Sequence, residues 1–159
     1  MNAKEIGLEE KEVKPIVDQL NDLLANYHVH YQKLRGCHWN VKGSNFFTLH
    51  VKFEELYNNA QQTIDDLAER ILTLGKSPYS TFSDYVKISK IQEINTKNMV
   101  DTDMVMAIME DFSDLIDIER EIMTTTANAG DDGTNDLVNS FTQFKEKNNW
   151  MLRSFCGKS

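Results

Sequence analysis

Apolar residues along the chain fall into long runs spaced three and four apart. Ile16, Val17, Leu20, Leu23, Leu24, Tyr27, Tyr31 and Leu34 keep this rhythm from Val13 onward, which lines one face of a helix. That helix is expected to fade between His38 and Val41 and to stop before Gly43. Lys42 to Asn45 then make a short turn, with Ser44 or Asn45 as the N-cap candidate. Leu49, Phe53, Leu56, Ala60, Ile64, Leu67, Ile71 and Leu74 mark a second helix over residues 46–74, ended by Gly75 with Pro78 just beyond.

From Lys76 to Asn98 the pattern is interrupted. Phe82, Tyr85, Val86, Ile88 and Ile91 predict one short helix inside a connection too long to join adjacent antiparallel helices. A third long helix, capped by Asp101 or Asp103, carries Met104, Ile108, Phe112, Leu115, Ile118 or Glu119, and Ile122, and closes at Asn128-Ala129-Gly130. After a turn at residues 131–134, a fourth carries Leu137, Phe141, Phe144, Met151, Leu152 and Phe155. Four long helices, two short turns and one long middle crossover describe an all-α, ferritin-like four-helix bundle. We expect a single domain over residues 1–159, with residues 1–12 as a short flexible arm.

Composition narrows the function. A formal charge of −8 argues against a surface that seeks nucleic acid or anionic membrane, and it suits the handling of cations. No run of about 18 apolar residues is present to span a bilayer. The N-terminal residues show no apolar signal region, so a cytoplasmic location is expected. Cys37 and Cys156 are the only cysteines, which suggests reduced thiols rather than a disulfide framework. Cys37 is read as a packed thiol more readily than as a soft ligand beside His38. No glycine-rich phosphate loop and no Ser-His-Asp arrangement is evident.

Candidate chemistry gathers between Cys37 and Glu69. This stretch holds His38 and His50, then Asp65 and Glu69. Imidazole mixed with carboxylate suits Fe(II), Mn(II) or Zn(II). Asp65 and Glu69, four apart, share a helix face and can share an ion. His38, ending one helix, can approach His50 across a short turn. His50 and Asp65, however, lie about 22 Å apart along one helix axis. A shared metal therefore requires a second chain related by a two-fold axis, which gives two equivalent sites per dimer. Intrabundle di-iron sites use Glu-x-x-His pairs; Ala25, Tyr27, Arg35 and Phe47 precede the four histidines by three, so none exists. His28 and His30, two apart and on different faces, are expected to pack or lie at the surface.

The motifs H-W-N-V-K-G at 38–43, F-F-T-L-H at 46–50, D-D-L-A-E-R-I at 65–71 and W-M-L-R-S-F at 150–155 resemble the Dps miniferritins in order, spacing and flanking residues. The resemblance runs from about Val13 to Phe155. It implies a hollow homo-dodecamer whose ferroxidase sites lie between two-fold-related subunits, with His38 and His50 from one chain and Asp65 and Glu69 from its partner. Glu54 falls where the family commonly places a further carboxylate, often Asp; the longer side chain puts the second metal position in doubt. Trp39 stands where the family has a tryptophan beside the site, either taking up oxidising equivalents or packing an interface. The implied activity is oxidation of Fe(II), preferably by hydrogen peroxide, with Fe(III) mineral stored inside the shell against oxidative stress.

Two further expectations follow. Asp131, Asp132 and Asp136 lie where the family lines its three-fold pores with acids, although N-capping and the helix dipole explain them equally well. Members that bind DNA often carry a lysine-rich tail. Here Lys4, Lys11 and Lys14 are outnumbered by Glu5, Glu9, Glu10 and Glu12, and the C-terminal end offers only Lys158. DNA binding is therefore expected to be weak or absent at physiological salt. The alternative function is a structural, nucleoid-associated or DNA-shielding shell whose metal site is vestigial or zinc-occupied.

Overall fold

The 3–4 spacing folds into five helices: α1 (Glu10–Asn40), α2 (Phe46–Thr73), α3 (Phe82–Ile88), α4 (Asp101–Ala129) and α5 (Asp132–Phe155). The structure, a computed structural model, describes residues 3–157. No strand occurs among them. Short connections fold α1 back on α2 and α4 back on α5, while α1 also packs against α4 and α3. The crossover between α2 and α4 carries α3, as the interrupted pattern predicts.

Three asparagines on α1 explain how so long a crossover is ordered. Asn21 Oδ1 accepts the Tyr79 N–H at 2.8 Å. Asn26, buried, accepts from Ser89 Oγ and from the Lys90 and Ile91 N–H groups at 3.0–3.1 Å. Asn40 Nδ2 donates to Thr96 Oγ1 at 3.0 Å. Each bond satisfies a polar group that irregular backbone would otherwise leave unpaired at a packed surface. Gly36 permits the last of these approaches, because a Cβ there would meet Thr96 Oγ1 at 3.0 Å.

Several boundaries differ from expectation. Glu10 already opens α1, Ala3–Ile6 form a 3-10 turn, Ala3 is fully buried and Leu8 packs on the core. The segment taken for an arm over residues 1–12 is thus helical or packed along much of its length; Met1, Asn2 and Lys158 lie outside the described residues. Neither Asp101 nor Asp103 caps α4, whose N-cap position is Val100. Asp101 instead accepts from Asn45 Nδ2 at 2.8 Å, tying the start of α4 to the α1–α2 turn. Asn45 sits at the N-cap of α2 but makes no capping bond. At the other end of α4, Gly130 takes the left-handed conformation at φ 68°, the expected glycine stop.

The largest departure is the inward face of α5. Its buried positions are Thr134, Val138, Phe141, Thr142, Lys145, Asn148 and Leu152, whereas Met151 and Phe155 face outward. Two of the polar residues, Thr142 and Lys145, hold core positions because they form a connected network. Lys145 Nζ lies 2.6 Å from Glu119 Oε1 on α4, with both side chains almost fully buried. Thr142 Oγ1 and Tyr27 Oη donate to the same carboxylate at 2.9 and 3.0 Å. Lys145 also donates to Tyr27 Oη and to the Phe141 carbonyl. A second buried cluster joins α1 to α4: Asp111 accepts from Lys33 Nζ at 2.5 Å and lies 2.8 Å from His30 Nδ1.

Candidate metal centre

Only residues 41–45 separate α1 from α2, so the last turn of one helix lies against the first turn of the other. His38 and His50 meet there, their rings stacked with centroids 3.8 Å apart and planes 20° apart. Each ring bonds to the other residue's backbone: His38 Nδ1 to the His50 carbonyl at 2.8 Å, and His50 Nδ1 to the His38 carbonyl at 2.9 Å. A carbonyl oxygen can only accept, so both Nδ1 atoms carry the proton. The neutral tautomer with Nδ1–H leaves an unprotonated Nε2, the form that ligates a metal. The His38 carbonyl also belongs to the final turn of α1, where carbonyls lack intrahelical donors. One bond thus satisfies a helix end and orients a candidate ligand. Phe46 stacks on His50 at 4.9 Å, and Tyr57 meets His38 edge-on at 5.3 Å.

Asp65 and Glu69 lie on the same unbroken α2, exposed, and neither makes a hydrogen bond or salt bridge among the described residues. With α2 continuous, 15 positions put Asp65 about 22 Å along the axis from His50. Among the described residues no three His, Cys, Asp or Glu groups of one chain converge on a common point. Arg70, the neighbour best placed by sequence to neutralise Glu69, turns instead to Asp131 at 2.7 Å. Glu54, one turn past His50, is exposed beside Tyr57, whose hydroxyl is pushed up first by burial and then by the Glu54 charge. Trp39 is 58% exposed, and the Arg35 guanidinium lies 4.7 Å over its ring.

The acidic group at the start of α5 divides. Asp131 is the N-cap, buried, and accepts from the Thr134 N–H at 3.0 Å and Thr134 Oγ1 at 2.5 Å as well as from Arg70. Its oxygens are occupied, so the capping explanation accounts for it. Asp132 and Asp136 are exposed, four apart on the first turn and a half of α5.

Elsewhere the bundle leaves little room for a metal. The buried carboxylate Glu119 already faces a cation in Lys145; burial pushes the glutamate up and the lysine down, each charge opposing the other's shift. Cys37 is fully buried, and burial, with the Asp111 charge adding, pushes its thiol up to about 12. In the folded chain it is packed as a protonated, buried thiol. His30 pairs with Asp111, and His28 stacks on Tyr85 at 3.8 Å, so both are packing residues. The sequence reading overlooked Tyr57. Its signal was present, since His50, Glu54 and Tyr57 at i, i+4 and i+7 share one face of α2.

Comparison with known proteins agrees with this architecture. Residues 17–159 match the family model described as a ferritin-like domain. The chain is 41% identical over 142 residues to DNA protection during starvation protein 2 of Bacillus anthracis, covering 89% of this chain and 97% of that protein. It is 38% identical over 160 residues to the DNA protection during starvation protein of Porphyromonas gingivalis, covering 96% and 95%. Among solved structures it superposes on the Dps protein of Vibrio cholerae O1, described as a member of a broad superfamily of ferritin-like diiron-carboxylate proteins. That match has a TM-score of 0.93 at 40% identity and covers 98% of both chains.

Proposed function

Because the chain belongs to the Dps family of ferritin-like proteins, we propose that it oxidises Fe(II) with hydrogen peroxide and stores the Fe(III) mineral inside a homo-dodecameric shell. The observation that carries this is the reciprocal bonding of His38 and His50, which leaves both Nε2 atoms available on adjacent rings. Asp65 and Glu69, exposed and without partners along the same helix, supply the complementary donors from a two-fold-related subunit. In support, two solved structures of Listeria innocua Dps carry histidine-to-glycine substitutions whose positions are twelve apart, the separation of His38 and His50.

The chemistry follows from the ligands. Neutral imidazoles retain Fe(II), and carboxylates stabilise the harder Fe(III). Two irons each give one electron to one peroxide, whose O–O bond breaks to form two waters with two protons from solvent. No hydroxyl radical is released, so iron storage and peroxide protection are one activity. Glu54 is the candidate carboxylate for the second iron. Asp132 and Asp136 are the acids placed to attract incoming Fe(II), and Asp136→Asn should slow iron uptake while leaving assembly by gel filtration unchanged; uptake at the wild-type rate would remove the pore role.

The shared site has its own test. Chains carrying His38→Ala and His50→Ala should be inactive alone, as should chains carrying Asp65→Ala and Glu69→Ala. Refolded together, each mixed dimer regains one intact site, so activity returns to about a quarter of wild type for random pairing. Persistent inactivity of a properly assembled mixture would mean the ligands do not cross between subunits.

DNA binding is weak or absent in this proposal and the location cytoplasmic. Among the described residues no helix is long and apolar enough to cross a membrane. Of the N-terminal lysines, Lys11 pairs with Glu12 and Lys14 with Asp18, which leaves little uncompensated positive charge for phosphates. The structural-shell alternative predicts bound zinc and no iron turnover.

A further inference from the structure

A line of rings leads away from the paired histidines. Tyr57 meets His38 edge-on, with centroids 5.3 Å apart at 84°. Tyr31 meets Tyr57 at 6.2 Å and 79°, and its hydroxyl donates to Gln61 Oε1 at 3.4 Å. Both tyrosines are half-buried. Arg35 then lies 5.3 Å over the Tyr31 ring and 4.7 Å over Trp39. His38, Tyr57 and Tyr31 therefore form a continuous path of contacting aromatic groups, and Trp39 stands beyond a fixed cation.

Such a path bears on turnover with a single iron. Peroxide accepts two electrons, and one Fe(II) supplies one. Without a second donor the remainder is a hydroxyl radical. The case arises whenever the second position, for which Glu54 is the candidate carboxylate, is empty. Among the three oxidisable rings, charge separates the candidates. Taking an electron from the Trp39 indole leaves a cation radical against the Arg35 guanidinium, which the cation–π contact of the neutral ring cannot compensate. A tyrosine loses its phenolic proton with the electron and becomes a neutral radical, so it meets no such repulsion.

We propose that Tyr57, in exchange with Tyr31, rather than Trp39, supplies the second electron when one iron occupies the site. The proposal rests on the ferroxidase function above. The O–O bond of the peroxide breaks and two waters form, taking two hydrogens from the peroxide, one from the Tyr57 hydroxyl and one proton from solvent. Fe(II) becomes Fe(III), and Tyr57 becomes a phenoxyl radical. A later Fe(II), with one proton, restores the phenol and becomes Fe(III), so the sum is again two irons per peroxide.

The test loads assembled protein anaerobically with one Fe(II) per site, adds peroxide, and freeze-quenches for electron paramagnetic resonance while Fe(III) absorbance is followed. Wild type should give a neutral tyrosyl signal that narrows when the protein is grown on ring-deuterated tyrosine. Tyr57→Phe keeps the ring and loses the oxidisable hydroxyl. Its tyrosyl signal should be lost and a spin trap should now capture hydroxyl radical. Trp39→Phe should retain the signal. Fast Fe(III) formation with no tyrosyl signal overturns the relay alone, as does a signal that survives in Tyr57→Phe or disappears in Trp39→Phe. Absence of Fe(III) formation in wild type overturns the ferroxidase function and the relay with it.

Discussion

His50→Ala should reduce peroxide-driven Fe(III) formation to the rate seen in buffer. The substitution removes one Nε2 ligand outright, and loss of even the outer partner of a ligand typically weakens metal affinity about 10–100-fold. The backbone geometry argues that the effect is local. His38 is held by the His50 carbonyl, which alanine retains, so the remaining imidazole keeps its tautomer. The bond lost is the one His50 donates to the His38 carbonyl at the end of α1. His50→Asn separates the two roles, because its amide can still donate to that carbonyl but offers no ring nitrogen. It should fold like wild type and be as inactive as the alanine variant. The measurement is stopped-flow ultraviolet absorbance after anaerobic Fe(II) loading. Wild-type oxidation no faster than buffer would move the assignment to a structural shell, whereas full activity in both variants would remove His50 from the ligand set.

The second large effect is on stability. Lys145→Met leaves the Glu119 carboxylate fully buried with only hydroxyl partners, and removing one member of a buried pair generally costs about 3–5 kcal/mol. Denaturant unfolding followed by circular dichroism should show the loss. Its pH dependence has a definite sign. Burial already raises Glu119 above the ordinary glutamate range, and loss of the lysine charge raises it further. A group raised in the folded state is tolerated where it is protonated, so the deficit should be deepest at neutral and alkaline pH and shrink as pH falls toward the carboxyl range. Pairing the change with Glu119→Leu should recover most of the loss, because an apolar pair of similar volume is often as stable as the ion pair. A single variant as stable as wild type would mean that Lys145 does not compensate the buried charge.

These two predictions draw on different sources of information. The helices, their hairpins and the short helix in the crossover were legible in the spacing of apolar residues, because local periodicity decides which face of a helix leaves water. That His50 and Asp65 of one chain cannot meet on one ion was legible for the same reason, since a rigid rise per residue makes their separation a matter of counting. Helix α5 was misread. Thr142 and Lys145 occupy inward positions that periodicity assigns to apolar residues, and the arrival of Glu119 and Tyr27 from α4 and α1 makes their burial tolerable. Asp101, expected as a cap, instead meets the distant Asn45, and Asp131 caps α5 locally while also accepting from the distant Arg70. The sequence by itself thus determined the helices, the donor types of the candidate site and the separation of His50 from Asp65. Tertiary structure alone decided which polar groups are satisfied, how His38 and His50 fix each other's tautomer, and that Tyr57 stands against His38. Those outcomes depend on contacts between different helices, which the face shared by His50, Glu54 and Tyr57 on α2 does not by itself supply.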